Sequence, residues 1–247
     1  MAILVTEKLK KYFGEVHAVD EVDFQVKEGE MMSLVGPNGA GKTTLVNLIS
    51  GYLIPDSGRI LFLGNDITRK SPYARIRDGV ARSFQLVNLY DELTLLDNVR
   101  IAILSRAGKT MKFFTLLERD TEVRKEAEDL LDAFGIRELE NLLPTGVSQG
   151  DRKLLDVAIA VALKPKLLML DEPTSGVSSR EKRGIMDRIV DVVRGEKISS
   201  LIVEHDMDIV QEYSDRVAVM HEGKMLAIGG PDEVMEDPKV KSTLLGV

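Results

Sequence analysis

The residues best suited to chemistry lie in a glycine-rich stretch, residues 34–45, which reads LVGPNGAGKTTL. It fits the pattern G-x-x-x-x-G-K-T of the phosphate-binding loop, beginning at Gly36 and ending at Lys42-Thr43. Glycines let backbone N–H groups turn inward around a phosphate chain, where side chains would block them. We expect Lys42 to reach the terminal phosphates and the Thr43 hydroxyl to complete a Mg²⁺ shell. The loop residues predicted to hold the nucleotide are Gly36, Pro37, Asn38, Gly39, Ala40, Gly41, Lys42, Thr43 and Thr44.

The sequence on either side of this loop provides the context that the motif requires. Residues 30–35, EMMSLV, are predicted to form a buried strand. Residues 44–50, TLVNLIS, are predicted to form a helix that begins near Lys42 and ends at Gly51. The N-terminus of such a helix directs its positive partial charge at the same anion. A strand, a glycine loop and a helix in this order distinguish a phosphate-binding loop from an ordinary glycine-rich turn.

Two acidic residues follow a second predicted strand. Residues 167–170, LLML, form an apolar run typical of a central parallel strand, and Asp171 and Glu172 come directly after it. Acidic groups beside a core are costly unless they have a role, although the chain could also simply surface there. With a phosphate-binding loop upstream, we interpret Asp171 as holding Mg²⁺ through water. We expect Glu172 to face the attacking water.

A histidine follows the next predicted strand, residues 198–203. His205 stands in the sequence EHD, and ligands bind outside the carboxyl ends of parallel strands in α/β folds. His205 is therefore a candidate functional residue. The other two histidines are His17, near a strand start, and His221, in a predicted turn. We interpret both as structural.

The N-terminal segment, residues 3–30, is predicted to be an antiparallel β region, because its apolar and polar residues alternate around Val22, Phe24 and Val26. Tyr12 and Phe13 precede this alternation. One of these rings could stack on a nucleotide base, or both could serve in packing, and the sequence leaves the two interpretations open.

Residues 94–164 differ in character and predict a helical lobe inserted into an α/β core. Thr94 is placed to cap a helix, residues 123–134 have one apolar face, and residues 152–163 are apolar nearly all round. Beyond the lobe, residues 178–181, SSRE, have the form of a capping box and predict the start of another helix.

The composition excludes several classes of function. The chain has 247 residues, of which 44% are hydrophobic and 30% are charged, so it can bury a sizeable core. It has no Cys, which excludes disulfides and thiolate metal sites. Its first residues lack the pattern of a signal peptide, and no apolar stretch approaches the length of a membrane span. A net charge of −7 argues against broad nucleic-acid binding.

Together these motifs resemble the ATP-binding subunits of ABC transporters, over roughly residues 4–234. The phosphate-binding loop matches, and so does the acid pair within LLMLDEPTSG. Gln85, at the end of a predicted strand, matches the family's Q-loop glutamine, and His205, within VEHDM, matches its switch histidine. The family's aromatic position ahead of the loop falls on Phe13, with Tyr12 as the alternative. Four motifs in the right order are far more specific than any one of them.

The family signature, usually L-S-G-G-Q, falls on VSQGD in this chain. Ser148 and Gly150 are retained, and a hydroxyl and a glycine N–H at a helix N-terminus suit a γ-phosphate. Gln149 and Asp151 depart from the pattern and add bulk and a negative charge. After the acid pair, Ser178 replaces an Asp that is usual in the family.

The resemblance implies an α/β fold with a P-loop NTPase core, in which helices flank a parallel sheet. An N-terminal antiparallel β subdomain and an inserted helical lobe would complete it. The whole chain, residues 1–247, would be a single ABC ATPase domain. Residues 1–93 and 165–247 would form the ATP-binding core, and residues 94–164 would form the lobe that carries the signature.

The resemblance also implies an ATPase that uses ATP and Mg²⁺. Glu172 would be the general base, and His205 would contact the γ-phosphate. The residues implied to be catalytic are Lys42, Gln85, Glu172 and His205. The residues implied to hold the metal are Thr43, Gln85 and Asp171. Beyond the loop, the residues implied to contact the nucleotide are Phe13, Ser148 and Gly150, the last two from a second subunit.

The implied partners follow from the family. A second ATPase subunit, identical or related, would pair head to tail with this one, and integral membrane permease subunits would bind the pair. A solute-binding protein would act indirectly, and no nucleic acid is expected. The protein would lie in the cytoplasm, peripheral on the cytoplasmic face of the cell membrane.

Within the family, the chain is most similar to the ATPases of branched-chain amino-acid importers. The similarity lies in residues 36–58, in the VARSFQ and LTLLDNV segments, and in the basic and apolar residues 109–117. Urea or amide importers, a lipopolysaccharide-export ATPase and a soluble assembly-type ABC ATPase are the alternatives. A nucleotide kinase is a further one, but it gives no reason for the signature segment.

Overall fold

The computed structural model describes residues 1–83, 89–108 and 120–245. The strands are β1 (Ala2–Phe13), β2 (Val16–Lys27), β3 (Met31–Val35), β4 (Ser57–Phe62), β5 (Asn65–Asp66), β6 (Val80–Arg82), β7 (Leu167–Asp171), β8 (Ser199–Val203), β9 (Arg216–His221) and β10 (Lys224–Gly229). The helices are α1 (Lys42–Ser50), α2 (Pro72–Asp78), α3 (Leu95–Arg106), α4 (Thr121–Ala133), α5 (Gln149–Ala162), α6 (Ser179–Gly195), α7 (Met207–Tyr213), α8 (Pro231–Glu236) and α9 (Pro238–Leu245).

These strands form two sheets. Among the described residues, β2, β1, β4 and β5 make a four-stranded antiparallel sheet in that order. The larger sheet has the order β10-β9-β3-β8-β7-β6, and its strands are parallel except for β10, which forms a hairpin with β9. The predicted α/β architecture, with an antiparallel β region ahead of a mainly parallel sheet, is confirmed.

The residue patterns explain this arrangement. Every residue of β3, β7 and β8 is buried, as expected for central strands with helices on both sides. In β2, by contrast, Val22, Phe24 and Val26 are buried while the residues between them are exposed. This alternation gives the antiparallel sheet one apolar face, which it buries against the core.

Two large apolar cores hold the molecule together. One lies between the larger sheet and helices α3 to α6, and includes Phe134, Leu155 and Ile189. The other joins the antiparallel sheet, α1 and the opposite face of the larger sheet, and includes Leu4 and Leu45. Each such side chain contributes about 1.5–3 kcal/mol on burial. The first core thus fixes the helical segment to one face of the larger sheet. The limits of the lobe stay a prediction.

Two helix starts differ from the sequence prediction. Helix α5 begins at Gln149, three residues earlier than residue 152, because the Ser148 hydroxyl accepts a hydrogen bond from the Asp151 N–H at 3.1 Å. The capping box predicted at the start of α6 is wrong. Ser178 is the N-cap residue, but its hydroxyl donates to the Glu181 carboxylate, and its side chain makes no capping bond to the backbone.

One smaller prediction near the C-terminus also changes. His221 is the last residue of β9 and does not lie in the turn. The segment from Pro231 onward contains two helices, α8 and α9. Pro238 begins the second helix, and since a proline lacks the N–H that a continuing helix would need, the first helix ends before it.

Candidate functional site

The glycine-rich loop lies between β3 and α1, and its glycines are required by close backbone packing. A Cβ atom at Gly36 would lie 2.2 Å from the Met220 carbonyl oxygen, and one at Gly41 would lie 2.1 Å from the Ala18 carbonyl oxygen. Gly41 also has a φ of 102°, which L-residues rarely adopt. Any side chain at these two positions would push the loop away from the strands that support it.

Lys42 begins α1 and turns back over the loop. Its ammonium group donates to the carbonyl oxygens of Gly36 at 2.6 Å and Pro37 at 3.1 Å. Burial lowers the pKa of the Lys42 ammonium, and the nearby charges of Glu172 and Asp171 partly oppose that change. The loop therefore encloses a partly desolvated positive charge, which suits a phosphate chain.

The two residues predicted to be catalytic at the ends of β7 and β8, Glu172 and His205, lie together. The neighbouring strands β7 and β8 are in register at Asp171 and Val203, and the Glu172 N–H donates to the Val203 carbonyl oxygen at 2.9 Å. As a result, Glu172 Oε1 lies 3.1 Å from His205 Nε2. Glu172 has a φ of 49°, in the left-handed region that favours glycine, so its backbone conformation is strained.

A buried carboxylate behind these residues was not singled out in the sequence. Glu204 accepts hydrogen bonds from the Thr174 hydroxyl at 2.6 Å and from the His205 N–H at 2.9 Å. It therefore joins the loop after β7 to the loop after β8 and fixes the backbone that carries His205. The signal in the sequence was its place directly after an apolar strand, the same signal that identified Asp171.

Asp171 lies deeper than Glu172 and is held by an arginine. Its Oδ2 atom accepts a hydrogen bond from Arg82 Nη2 at 2.7 Å, and the Asp171 side chain is buried. The same guanidinium donates to Asn47 Oδ1 on α1 at 2.6 Å. Arg82 was not predicted as a site residue, since only the pairing of β6 with β7 brings it beside Asp171.

The donor set suits Mg²⁺. Among the described residues, no three His, Cys, Asp or Glu side chains form a ready metal cluster. A P-loop magnesium ion needs few protein ligands, because phosphate oxygens and water supply most of its shell. A hydroxyl on Thr43, at the N-terminus of α1, and a carboxylate on Asp171 are hard oxygen donors of the required type.

These elements surround a cavity of about 640 Å³, large enough for a nucleotide. The described residues that line it are Glu15, Val16, His17, Ala18, Asn38, Gly39, Ala40, Gly41, Lys42, Thr43, Thr44, Glu172, Val203, His205 and Glu222. Gly36 and Pro37 form the base of the loop and lie outside this lining, as does Asp171. His17, interpreted from the sequence as structural, lies on the cavity wall.

The two candidate aromatic rings do not line this cavity. The Tyr12 ring stacks on His17, with ring centroids 4.0 Å apart, and its hydroxyl donates to Asp20 at 2.6 Å. The Phe13 ring is half exposed, and the Lys11 ammonium lies 5.6 Å from its centroid. Packing therefore accounts for Tyr12, and base stacking on Phe13 stays a prediction.

The signature residues also lie outside the cavity lining. Ser148 caps α5 and is exposed, and its hydroxyl donates to Asp151 Oδ2 at 2.6 Å. A Cβ atom at Gly150 would lie 2.9 Å from Ile185 Cδ1, so a larger residue there would disturb the contact between α5 and α6. The chain therefore brings together the loop, Glu172 and His205, but it directs Ser148 and Gly150 elsewhere.

Some predicted features lie outside the described residues. These are Gln85, expected to act as a catalytic residue and metal ligand, and the basic and apolar stretch at residues 109–117. No helix among the described residues is long and apolar enough to cross a membrane.

Comparison with known proteins places this geometry among transport ATPases. The ABC transporter family profile matches residues 19–175. The probable branched-chain amino acid transport ATP-binding protein LivG of Archaeoglobus fulgidus is 34% identical over 248 residues, covering 100% of this chain and 96% of that protein. The high-affinity branched-chain amino acid transport ATP-binding protein LivG of Escherichia coli is 33% identical, covering 99% of this chain and 98% of that protein. The crystal structure of the ADP conformation of MJ1267, an ATP-binding cassette of an ABC transporter, superimposes with a TM-score of 0.87 at 32% identity, covering 100% of both chains.

Proposed function

The chain belongs to the ABC transporter family as an ATP-hydrolysing, ATP-binding subunit, and we propose that it powers the import of branched-chain amino acids. The observation that carries this proposal is similarity over the full length to the LivG proteins, at 34% identity and 100% coverage of this chain. The cavity that Lys42, Glu172 and His205 line provides the chemistry.

The residues of the cavity suggest how ATP is hydrolysed. Lys42 binds the β- and γ-phosphates, and the loop N–H groups hold the remaining charge. Glu172 accepts a proton from the water that attacks the γ-phosphorus, while the bond from that phosphorus to the ADP oxygen breaks. His205, 3.1 Å from the Glu172 carboxylate, keeps that carboxylate and the water aligned. Gln85, outside the described residues, is proposed to help orient the water and the metal.

Magnesium is proposed to bind beside the phosphates through Thr43 and Asp171. When bound, it neutralises negative charge on the phosphate oxygens. The ion pair with Arg82 fixes the Asp171 carboxylate in one orientation and ties it to α1 through Asn47. Arg82 thus connects α1, which carries Thr43, to Asp171 at the end of β7.

A second ATPase subunit is proposed to complete the site. Ser148 and Gly150 lie at the exposed N-terminus of α5, away from the chain's own cavity, and a helix N-terminus favours a phosphate. Two subunits packed head to tail with two-fold symmetry would place each α5 N-terminus at the other's ATP. The partner is a second copy or a related ATPase. Phe13 is proposed to lie near the base in each site.

Light scattering tests the homodimer. In the presence of ATP, Glu172→Gln is expected to have the mass of a dimer, because ATP stays unhydrolysed between the subunits. Adding Ser148→Asp should return it to a monomer, since a carboxylate would then face the partner's phosphates while aspartate still caps α5. Thr94→Asp, the same change at the N-cap of α3, is the control. A monomer in all samples would contradict a homodimer and leave a related ATPase as the partner.

Permease subunits are proposed to bind an exposed apolar surface beside the larger sheet. Tyr52 and Ile54 follow α1, Tyr73 and Ile76 lie on α2, and Tyr73 and Ile54 are 59% and 57% exposed. Tyr52, Pro72 and Ile76 line one small surface cleft, so the two segments adjoin. Exposed apolar clusters of this kind mark protein contacts. Through the permease, the protein would lie at the cytoplasmic face of the membrane and respond to a solute-binding protein.

Uptake measurements test the transported solute. Cells in which Glu172→Gln replaces the wild-type chain are expected to lose uptake of labelled leucine, isoleucine and valine. Glu196→Gln, an exposed acid at the end of α6, should leave uptake unchanged. Loss of urea or amide uptake alone would identify a different importer. Unchanged uptake of every solute would favour an assembly-type ATPase.

A further inference from the structure

A buried lysine connects α5, which begins in the signature segment and is called the signature helix below, to the loop that follows β7. That loop carries Glu172 and is called the catalytic loop. Lys153 lies on α5, is 4% exposed, and donates from its ammonium group to the Glu172 carbonyl oxygen at 3.2 Å and to the Ser175 hydroxyl at 3.1 Å. An ammonium group is costly to bury unless its N–H groups are bonded. Both acceptors lie in the loop that follows β7, so Lys153 is directed at the loop that carries the catalytic carboxylate.

The peptide groups around Glu172 need this kind of support. Glu172 has a left-handed φ of 49°, which a residue with a Cβ adopts only when its surroundings hold it there. Its N–H is bonded to the Val203 carbonyl oxygen at 2.9 Å, and its carbonyl oxygen accepts from the Ser175 N–H at 3.1 Å. Lys153 adds a charge-assisted bond to that same carbonyl oxygen, and charge-assisted bonds are the stronger class.

The position of Lys153 on α5 gives this contact a second consequence. Ser148, the N-cap of the helix, precedes Lys153 by five residues, which is about 7.5 Å along the helix axis. The neighbouring Gln149 lies against the same loop, because a Cβ atom at Gly176 would be 3.3 Å from its Nε2 atom. The first turns of α5 therefore contact the catalytic loop at two points.

We propose that Lys153 is a positioning residue for Glu172, which it holds in the orientation that meets His205. This inference rests on the proposed head-to-tail dimer. In that dimer, the helix that touches the partner's ATP also holds the chain's own catalytic carboxylate. Lys153 thereby links the two sites of the dimer. Neither Lys153 nor Ser175 lines the ATP cavity, so the link runs through protein alone.

Steady-state kinetics test this role. Lys153→Met removes the donors and keeps much of the volume, and kcat is expected to fall by about 10- to 100-fold, as a small misplacement of a catalytic group does. KM for ATP should change by less than about twofold, because Lys42 and its loop are untouched. Lys153→Arg should recover most of kcat. Lys164→Met, which removes an exposed lysine just beyond α5, is the control and should match the wild type.

A double-mutant cycle separates positioning from a general structural role. If Lys153 acts through Glu172, adding Lys153→Met to the Glu172→Gln variant should lower kcat almost no further. Equal fold losses in both backgrounds would overturn the proposal, as would an unchanged kcat or a loss confined to KM. Should Lys153→Met fail to fold, Lys153→Gln, with a neutral donor, gives the same comparison. ATP hydrolysis by the wild type and by Glu172→Gln tests the proposed function. The effect of Lys153→Met tests the positioning role, so the two claims can fail separately.

Discussion

At the residue scale, Lys42 shows how the fold prepares a phosphate site. Burial lowers the pKa of its ammonium group, while Glu172 and Asp171 oppose that change. Bound ATP adds negative charge beside the same group and should raise its pKa above the value in the free protein. Binding of ATP and protonation of Lys42 are therefore linked, and the sign of the link can be tested.

The pH dependence of ATP binding tests that link. Affinity should be constant below the pKa of Lys42 in the free protein, fall as the pH rises through it, and level off above the pKa in the complex. Titrations at pH values below 10.5, the ordinary pKa of a lysine, should show this fall begin for the wild type, because burial lowers the Lys42 pKa. Lys42→Arg should bind with little pH dependence, because an arginine stays charged throughout this range. The same fall in the arginine variant would assign the effect to another group.

Asp151 is the residue whose charge departs most clearly from the usual signature. Its carboxylate accepts a hydrogen bond from the Ser148 hydroxyl and stabilises the N-terminus of α5. The same carboxylate places negative charge where the partner's phosphates would bind. Asp151→Asn in the Glu172→Gln background should lower the ATP concentration for half-maximal dimerisation by about two- to fivefold. Light scattering at increasing ATP measures this.

Helix α3 offers a matched control for that variant. Asp97 has the same relation to Thr94 as Asp151 has to Ser148, with an N–H to hydroxyl distance of 3.1 Å in each pair. Asp97→Asn should lose the same interaction at a helix N-terminus, and in addition an ion pair with Arg100 at 2.9 Å, without changing dimerisation. An Asp151→Asn variant that needs as much ATP as its parent, or more, would show that this charge does not face the partner.

The residues that the sequence could predict are those with a local signal. The phosphate-binding loop is a contiguous motif, and Glu172 and His205 directly follow or nearly follow apolar strands. Arg82 and Lys153 could not be predicted, because each meets its partner only through tertiary contacts, across 89 and 19 residues of sequence respectively. Their charged side chains would ordinarily be expected on the surface, so the sequence offers no sign of their burial.

At the scale of elements, α1 is held in place by a buried arginine on α2. Arg75 is 1% exposed and donates to the Leu48 and Ile49 carbonyl oxygens, at the C-terminal end of α1, and to the Thr68 and Lys70 carbonyl oxygens. Burial lowers the pKa of its guanidinium to about 10, which still leaves it charged at neutral pH. A positive charge at this end of a helix complements the helix dipole.

Replacing this arginine tests its structural role. Arg75→Leu should lower the free energy of unfolding by roughly 2–4 kcal/mol, because carbonyl groups in the interior lose their donor. Arg77→Leu, on the exposed side of the same helix, should change it by less than about 0.5 kcal/mol. Urea unfolding curves measure both values. If both variants lose the same small amount of unfolding free energy, water replaces the Arg75 guanidinium without loss of stability.

The elements themselves were largely predictable, while their ends were less so. Apolar runs such as residues 167–170 predict central strands, and the amphipathic pattern at residues 123–134 predicts α4. The start of α5 was missed because its first turn is polar, and only the Ser148 cap reveals it. The capping box at Ser178 failed since Ser and Glu can bond each other instead of the backbone, and a sequence pattern does not distinguish these outcomes.

At the scale of the whole molecule, the fold places the two parts of the proposed reaction site on separate surfaces. The cavity lies at the carboxyl ends of β3, β7 and β8, beside the antiparallel sheet, while the N-terminus of α5 is exposed elsewhere. The α/β class, the ATP site and the transporter family follow from the sequence. The junction between the signature helix and the catalytic loop does not, because it depends on packing between α5 and β7.

The most direct test of this account is ATP binding and hydrolysis by Glu172→Gln. If Glu172 is the general base, the variant should bind ATP with an affinity within about threefold of the wild type, because glutamine keeps the shape and Lys42 is unchanged. Its hydrolysis rate should fall by about 10²- to 10⁴-fold. A variant that binds ATP and hydrolyses it at the wild-type rate would contradict the role of Glu172 and, with it, the assignment of the site.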